Sequence, residues 1–196
     1  MTAPTLEVWF DYSCPYAYLA STQVEALAKR SGAALQWMPM LLGGVFRAVN
    51  TPQNLSATLS PAKARHNELD MQRWACRFGV KLRMPEGHPF RTVEALRATL
   101  LSANDPKVIH GFYKAYWVEG RVPSDRDVIA SVLRDAGLDA ERVLSNLDSE
   151  AVKADLRERT DRAIALGIFG APSFVVKGDL YWGQDRLEFV EKALAS

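Results

Sequence analysis

The chain is poor in cysteine: Cys14 and Cys76 are the two thiols among 196 residues, too few for a disulfide framework. It lacks a basic N-terminal stretch followed by a long apolar one, and it has no apolar run of the roughly 18 residues that a membrane span needs. Neither an export signal nor a membrane partner is expected, and the expected compartment is a reducing cytoplasm. An excess of either charge is also missing, with 24 Lys and Arg against 23 Asp and Glu and no long basic run. That balance gives no electrostatic footprint for nucleic acid, so a small substrate is the better expectation. The three histidines, His66, His88 and His110, have no metal-ligand spacing and no companion cysteines, so no metal is expected. Repeats, low-complexity tracts and linkers are absent, which favours one compact unit with room for a sizeable core.

What is present is an ordered pattern of elements. Leu6 to Phe10 reads as a strand, Pro15 to Arg30 as a helix, and Ala34 to Met40 as a second strand after Ser31-Gly32. Leu41 to Pro52 reads as a glycine-containing loop. Six segments with apolar residues at three- and four-residue spacing follow: Leu59 to Phe78, Thr92 to Leu101, Asp105 to Val118, Ser124 to Ala136, Asp139 to Asn146 and Glu150 to Leu166. Ser60 before Pro61, Asp105 before Pro106 and Ser124 before Asp125 are their expected caps. Strands return at Ser173 to Lys177 and Leu180 to Trp182, separated by a Gly178-Asp179 turn, and a last helix runs from Gln184 to Ala195. The order βαβ, helical block, ββα predicts an α/β thioredoxin-like fold with a large all-helical insertion. Residues 1–52 and 167–196 would be its halves and 53–166 the insertion.

Cys14 follows the first strand and precedes Pro15, which suits the first turn of a helix. A thiol at a helix N-terminus is favoured as thiolate by the backbone N–H groups and the dipole. Its Cys-x-x-Cys partner is missing, because Ala17 stands in the second position. Cys76, mid-helix between aromatic residues, reads as an inert core thiol. Pro172, in Gly170-Ala171-Pro172-Ser173, is either an ordinary trans proline opening a strand or, in the thioredoxin-like reading, a cis proline. In the second case the Ala171 N–H and C=O face the thiol and could pair with a peptide-like ligand. In Gly183-Gln184-Asp185-Arg186, Asp185 either offsets the dipole of the last helix or, with the helix amides, holds an α-amino and α-carboxylate group. Asn50-Thr51-Pro52 reads as a turn. The five tryptophans read as core or pocket walls.

FDYSCPYAYLA, PMLLGGVFRAVNTP, KARHNELDMQRWACRFGV, GIFGAPSFVV and YWGQDRLEFVEKAL, in this order, resemble the 2-hydroxychromene-2-carboxylate isomerase family. That family is related to kappa-class glutathione transferases and, more distantly, to disulfide oxidoreductases of the DsbA type. The resemblance spans nearly the whole chain, with GxFGxPxF and WGxDR its most specific parts. It implies a dimer that binds glutathione with the sulfur near the start of the first helix. By motif, Cys14 stands in the place of the family's catalytic serine, and Asn50 and Pro52 match the N-x-P of the glutathione site. Ala171, beside Pro172, would pair with the cysteinyl part of the tripeptide, and Gln184, Asp185 and Arg186 would surround its γ-glutamyl end.

The reaction so implied is the isomerisation of an aromatic hydroxybenzylidenepyruvate through reversible glutathione addition. Two departures bear on it: cysteine replaces the family serine, and Arg91 stands where relatives carry asparagine. Arg91 would either contact a carboxylate substrate or be a solvated side chain. Three functional readings remain open: a glutathione-dependent isomerase or kappa-like transferase acting on a small aromatic carboxylate, a single-cysteine thiol-disulfide oxidoreductase of DsbA type, and a glutathione-binding redox-sensing module.

Overall fold

In the computed structural model the described residues are 3–195. The chain begins with strand β1 (Thr5–Phe10), helix α1 (Pro15–Arg30) and strand β2 (Ala34–Pro39). Helices α2 (Leu42–Ala48), α3 (Pro61–Phe78), α4 (Val93–Leu101), α5 (Pro106–Trp117), α6 (Arg126–Asp135), α7 (Ala140–Asn146) and α8 (Glu150–Ala165) follow. Strands β3 (Ser173–Val176) and β4 (Asp179–Trp182) and helix α9 (Leu187–Ala195) close the chain. The sheet order is β2-β1-β3-β4, with β1 parallel to β2 and antiparallel to β3, and β3 antiparallel to β4. This is the expected α/β thioredoxin-like arrangement carrying a helical block.

Sequence chemistry accounts for most of the helix starts. Ser60, Asp105, Asp139 and Ser149 accept hydrogen bonds from backbone N–H groups of the first turns of α3, α5, α7 and α8, and prolines open α1, α3 and α5. The cap of α6 is Asp125 rather than Ser124; its carboxylate accepts from the Asp127 N–H at 2.9 Å. The hairpin turn is Lys177-Gly178, one residue earlier than read, and a 3-10 turn at Gln184–Arg186 precedes α9.

The segment read as a loop at Leu41 to Pro52 holds α2. Its apolar period is masked by Gly43 and Gly44, and its first N–H groups are satisfied from elsewhere in the fold. The Thr160 hydroxyl takes the Leu41 N–H at 3.0 Å and the Asp11 carboxylate the Leu42 N–H at 2.9 Å.

Val8, Trp9 and Phe10 are all fully buried, and since successive strand residues point to opposite faces, both faces of β1 are covered. On one face Arg162 of α8 pairs with Glu7 and lies over the Trp9 ring. On the other, Phe10 meets Trp37 and Tyr113 in an aromatic cluster that continues through Tyr12 and Phe112. Tyr12, a member of this cluster, lies in the turn between β1 and Cys14. Of the two roles expected for the tryptophans, core or pocket wall, Trp182 does not take the first: it is 50 % exposed and packs on exposed Phe169. Cys76 is also exposed rather than a core thiol, and both cysteines are free.

Candidate active site

Asp11, at the end of β1, builds the turn that presents the thiol. Its carboxylate accepts from the Ser13 N–H and hydroxyl, both at 3.0 Å, the Leu42 N–H at 2.9 Å and the Thr92 hydroxyl at 2.8 Å. Its carbonyl takes the Cys14 N–H. One buried carboxylate therefore ties together β1, the start of α2 and the start of α4. Burial pushes its pKa up while these four donors pull it down, leaving a net rise.

Cys14 is the N-cap of α1 and is 9 % exposed. Its Sγ donates to the Ala171 carbonyl oxygen 3.0 Å away. The thiol pKa is pushed up to about 12, first by burial and further by the Asp11 charge, against the pull of the Ala17 and Tyr16 amides. The expected thiolate is thus corrected to a neutral thiol. The helix amides act in the predicted direction, but desolvation of the charged form outweighs them.

The Ala171–Pro172 bond is cis. With its carbonyl engaged by Cys14, Ala171 has an N–H that finds no hydrogen-bond acceptor among the described residues. The Gly183 N–H donates to the Pro172 carbonyl at 3.0 Å, which fastens the Gly183 to Arg186 turn beside this loop. Gly170 is required by close approach, since a Cβ there would lie 2.7 Å from the Trp182 indole nitrogen. Gln184 is buried, and its side-chain amide makes no hydrogen bond within the described residues. Asp185 and Arg186 are exposed and pair with each other at 3.3 Å, so the carboxylate is in part neutralised by its neighbour.

Cys14, Ala171, Pro172 and the turn at Gln184, Asp185 and Arg186 are thereby brought together. Asn50 and Pro52 are exposed on the loop after α2 and make no side-chain hydrogen bond to this group among the described residues. Arg91 is spent on Glu94, its Nε lying 2.9 and 3.0 Å from the two carboxylate oxygens, which favours the solvated reading.

Asp11 and Tyr16 are site residues that sequence reasoning passed over. Tyr16 is half-buried in the first turn of α1, its phenol pKa raised first by burial and then by Cys14, Asp70 and Asp185. Its phenol thus feels the charges of both the thiol and the exposed Asp185. A signal for Asp11 was available: an acid inside an aromatic run, two residues before Ser13, is the pattern of an Asx turn. No group of three or more potential metal ligands occurs among the described residues, and no helix is long and apolar enough to cross a membrane.

Comparison with known proteins places this geometry in context. The sequence model of the DSBA-like thioredoxin domain matches residues 5–195. 2-Hydroxychromene-2-carboxylate isomerase of Sphingobium xenophagum is 28% identical over 193 residues, covering 97% of each chain. Glutathione S-transferase kappa 1 of Rattus norvegicus is 28% identical over 204 residues, covering 94% of this chain and 88% of its own. A solved structure of 2-hydroxychromene-2-carboxylate isomerase superposes with a TM-score of 0.87 at 25% identity, over 97% of this chain and 94% of that one.

Proposed function

The chain belongs to the family of DSBA-like thioredoxin domains, and we propose that within it this protein is a glutathione-dependent isomerase of the 2-hydroxychromene-2-carboxylate type, or a kappa-like transferase built on the same site. The observation that carries this reading is the buried Cys14 Sγ, which stands 3.0 Å from the Ala171 carbonyl oxygen as a hydrogen-bond donor. A thiol whose pKa is pushed up to about 12 is a poor nucleophile and a poor redox centre at neutral pH. It is instead a hydrogen-bond donor, the role a serine hydroxyl would fill.

The residues present suit a peptide thiol. The Ala171 N–H and the Gln184 amide, both without partners among the described residues, are groups that a peptide backbone and a γ-glutamyl end would satisfy. Asp185 offers a carboxylate to an ammonium group. Asn50 and Pro52 belong to the same proposal through their N-x-P pattern alone. Glutathione held by Ala171, Gln184 and Asp185 would supply a thiolate for reversible addition to a conjugated carbon of the substrate.

The chain's own contribution is positioning and hydrogen bonding. Cys14 can turn its Sγ–H from the Ala171 oxygen to an anionic sulfur, and because Cys14 stays neutral no like-charge repulsion opposes the approach. Tyr16, kept protonated by its raised pKa, can donate to an oxyanion that develops on the substrate. The buried aromatic cluster that reaches Tyr12 excludes water. The two free cysteines suit a reducing cytoplasm, and a homodimer is proposed from the family resemblance, to be read by light scattering.

The test follows trans-hydroxybenzylidenepyruvate isomerisation with and without glutathione in wild type, Cys14→Ser and Cys14→Ala. Glutathione-dependent turnover that serine retains supports the reading. Absence of turnover in every form, together with Cys14-dependent reduction of glutathione mixed disulfides, would replace it with the oxidoreductase.

A further inference from the structure

A groove of about 470 Å³ runs between α2, α4 and α8, and none of the residues of the Cys14 site lines it. Its floor is apolar, formed in part by Val93, Leu156 and Ile164, while four cations stand around it: Arg47, Arg97, Lys153 and Arg157. Asp161 is the one carboxylate in the lining. Charge of one sign is thus concentrated here in a chain whose overall charge is balanced.

The cations are incompletely paired. The Arg47 and Arg157 side chains have no hydrogen bond or ion pair among the described residues. Lys153 meets exposed Glu150 at 3.0 Å. Arg97 is 15 % exposed; one terminal nitrogen reaches Asp148 at 3.0 Å and the Leu147 carbonyl at 3.4 Å, yet its Nε is buried with no partner. A buried guanidinium N–H without an acceptor is costly, and the group's planar fork suits a carboxylate or phosphate. The groove is also rigidly framed: the Leu41 N–H is bound by Thr160 of α8, and a Cβ on Gly44 would lie 3.0 Å from the Thr160 methyl.

We propose that this groove is a second ligand site, which takes a small organic anion with an apolar body and at least two acidic groups. The acids face Arg97 and the unpaired Arg47 and Arg157, and the apolar body lies on the Val93, Leu156 and Ile164 floor. An inorganic anion would leave that floor uncovered, and an uncharged aromatic would leave the exposed Arg47 and Arg157 guanidinium groups unanswered.

The experiment is calorimetric titration of the full chain with phthalate, an aromatic dicarboxylate, with benzyl alcohol and inorganic phosphate as the uncharged and non-apolar comparators. The proposal expects saturable phthalate binding at one equivalent per chain and affinity that falls as salt rises. It also expects at least a tenfold loss in Arg157→Ala and in Arg47→Ala, variants of exposed residues whose fold is verified by circular dichroism. Binding should persist in Cys14→Ala and under saturating S-methylglutathione. Non-saturable binding, affinity equal to that of wild type in both arginine variants, or displacement by S-methylglutathione overturns it. Isomerase turnover is not read, so failure of that activity leaves the result standing.

Discussion

Cys14 Sγ lies 3.0 Å from the Ala171 carbonyl oxygen, a contact that joins the start of α1 to the loop before β3 across 157 residues of chain. It joins them as a thiol, because a thiolate has no proton to place on a carbonyl. Ionising Cys14 therefore costs both the desolvation of a buried charge and a bond that closes the sheet onto the first helix. That contact holds the sulfur as a donor, while burial pushes its pKa up.

Alkylation separates the two cysteines. At pH 7 iodoacetamide should modify exposed Cys76 first, and in a Cys76→Ser variant the Cys14 rate should rise about tenfold per pH unit towards about 12. The folded pKa lies above the ordinary 9.0, so the stability contribution is complete below pH 9.0 and is lost as pH rises through the folded value. Cys14→Ala, which removes the donor, should lower glutathione-dependent kcat/KM by roughly five- to tenfold, the equivalent of about 1 to 1.5 kcal/mol for a hydrogen bond. A fast Cys14 reaction at pH 7 would contradict the neutral-thiol assignment.

Asp11 holds four donors from three elements, so Asp11→Asn puts an NH2 group where one of them already donates. We expect a loss of about 2 to 4 kcal/mol in urea unfolding. Where the variant still folds, removal of the negative charge should lower the Cys14 pKa and quicken its alkylation at fixed pH. Unchanged stability together with unchanged alkylation would remove Asp11 from the site.

Much of this architecture was legible because local chemistry and tertiary packing agree. Pro15, Ser60-Pro61 and Asp105-Pro106 start helices in the structure where they were read. Helix α2 was hidden, since the groups that hold its start, Asp11 and Thr160, come from distant parts of the chain. The sign of the Cys14 shift was misread for a related reason. A helix terminus favours a charge by about 0.3–1 kcal/mol, whereas the rise from 9.0 to about 12 corresponds to ~4 kcal/mol. Only the first of these effects is written in neighbouring residues. The second is burial, which depends on what folding packs around the thiol.

His88 is half-buried, packs at a tilt against Trp117 with ring centroids 5.2 Å apart, and meets the Tyr116 hydroxyl through Nδ1 at 2.9 Å. That hydroxyl also accepts the Phe90 N–H at 2.8 Å. Burial lowers the His88 pKa below 6.5, so the unfolded chain binds the proton more readily. The contribution to stability is complete above pH 6.5 and is lost as pH falls through the folded value. The urea midpoint should therefore drop between pH 7.5 and 5.5 by more in wild type than in His88→Gln. Equal drops would show that the ring is not the titrating group.

Gly183 combines φ +112° with a Cβ position 2.5 Å from an Asp185 carboxylate oxygen, which must shift to admit a side chain. Gly183→Ala therefore strains the backbone by about 1–3 kcal/mol and displaces Asp185 from the turn fastened to Pro172. If Asp185 holds the ammonium end of glutathione, the glutathione KM should rise while kcat at saturation changes little. Asp185→Asn, which removes the charge without the strain, should reproduce the KM effect but leave the unfolding midpoint near that of wild type. A fall in kcat with KM unchanged, in both variants, would mean that this turn supports the reacting sulfur rather than the distant end of the tripeptide.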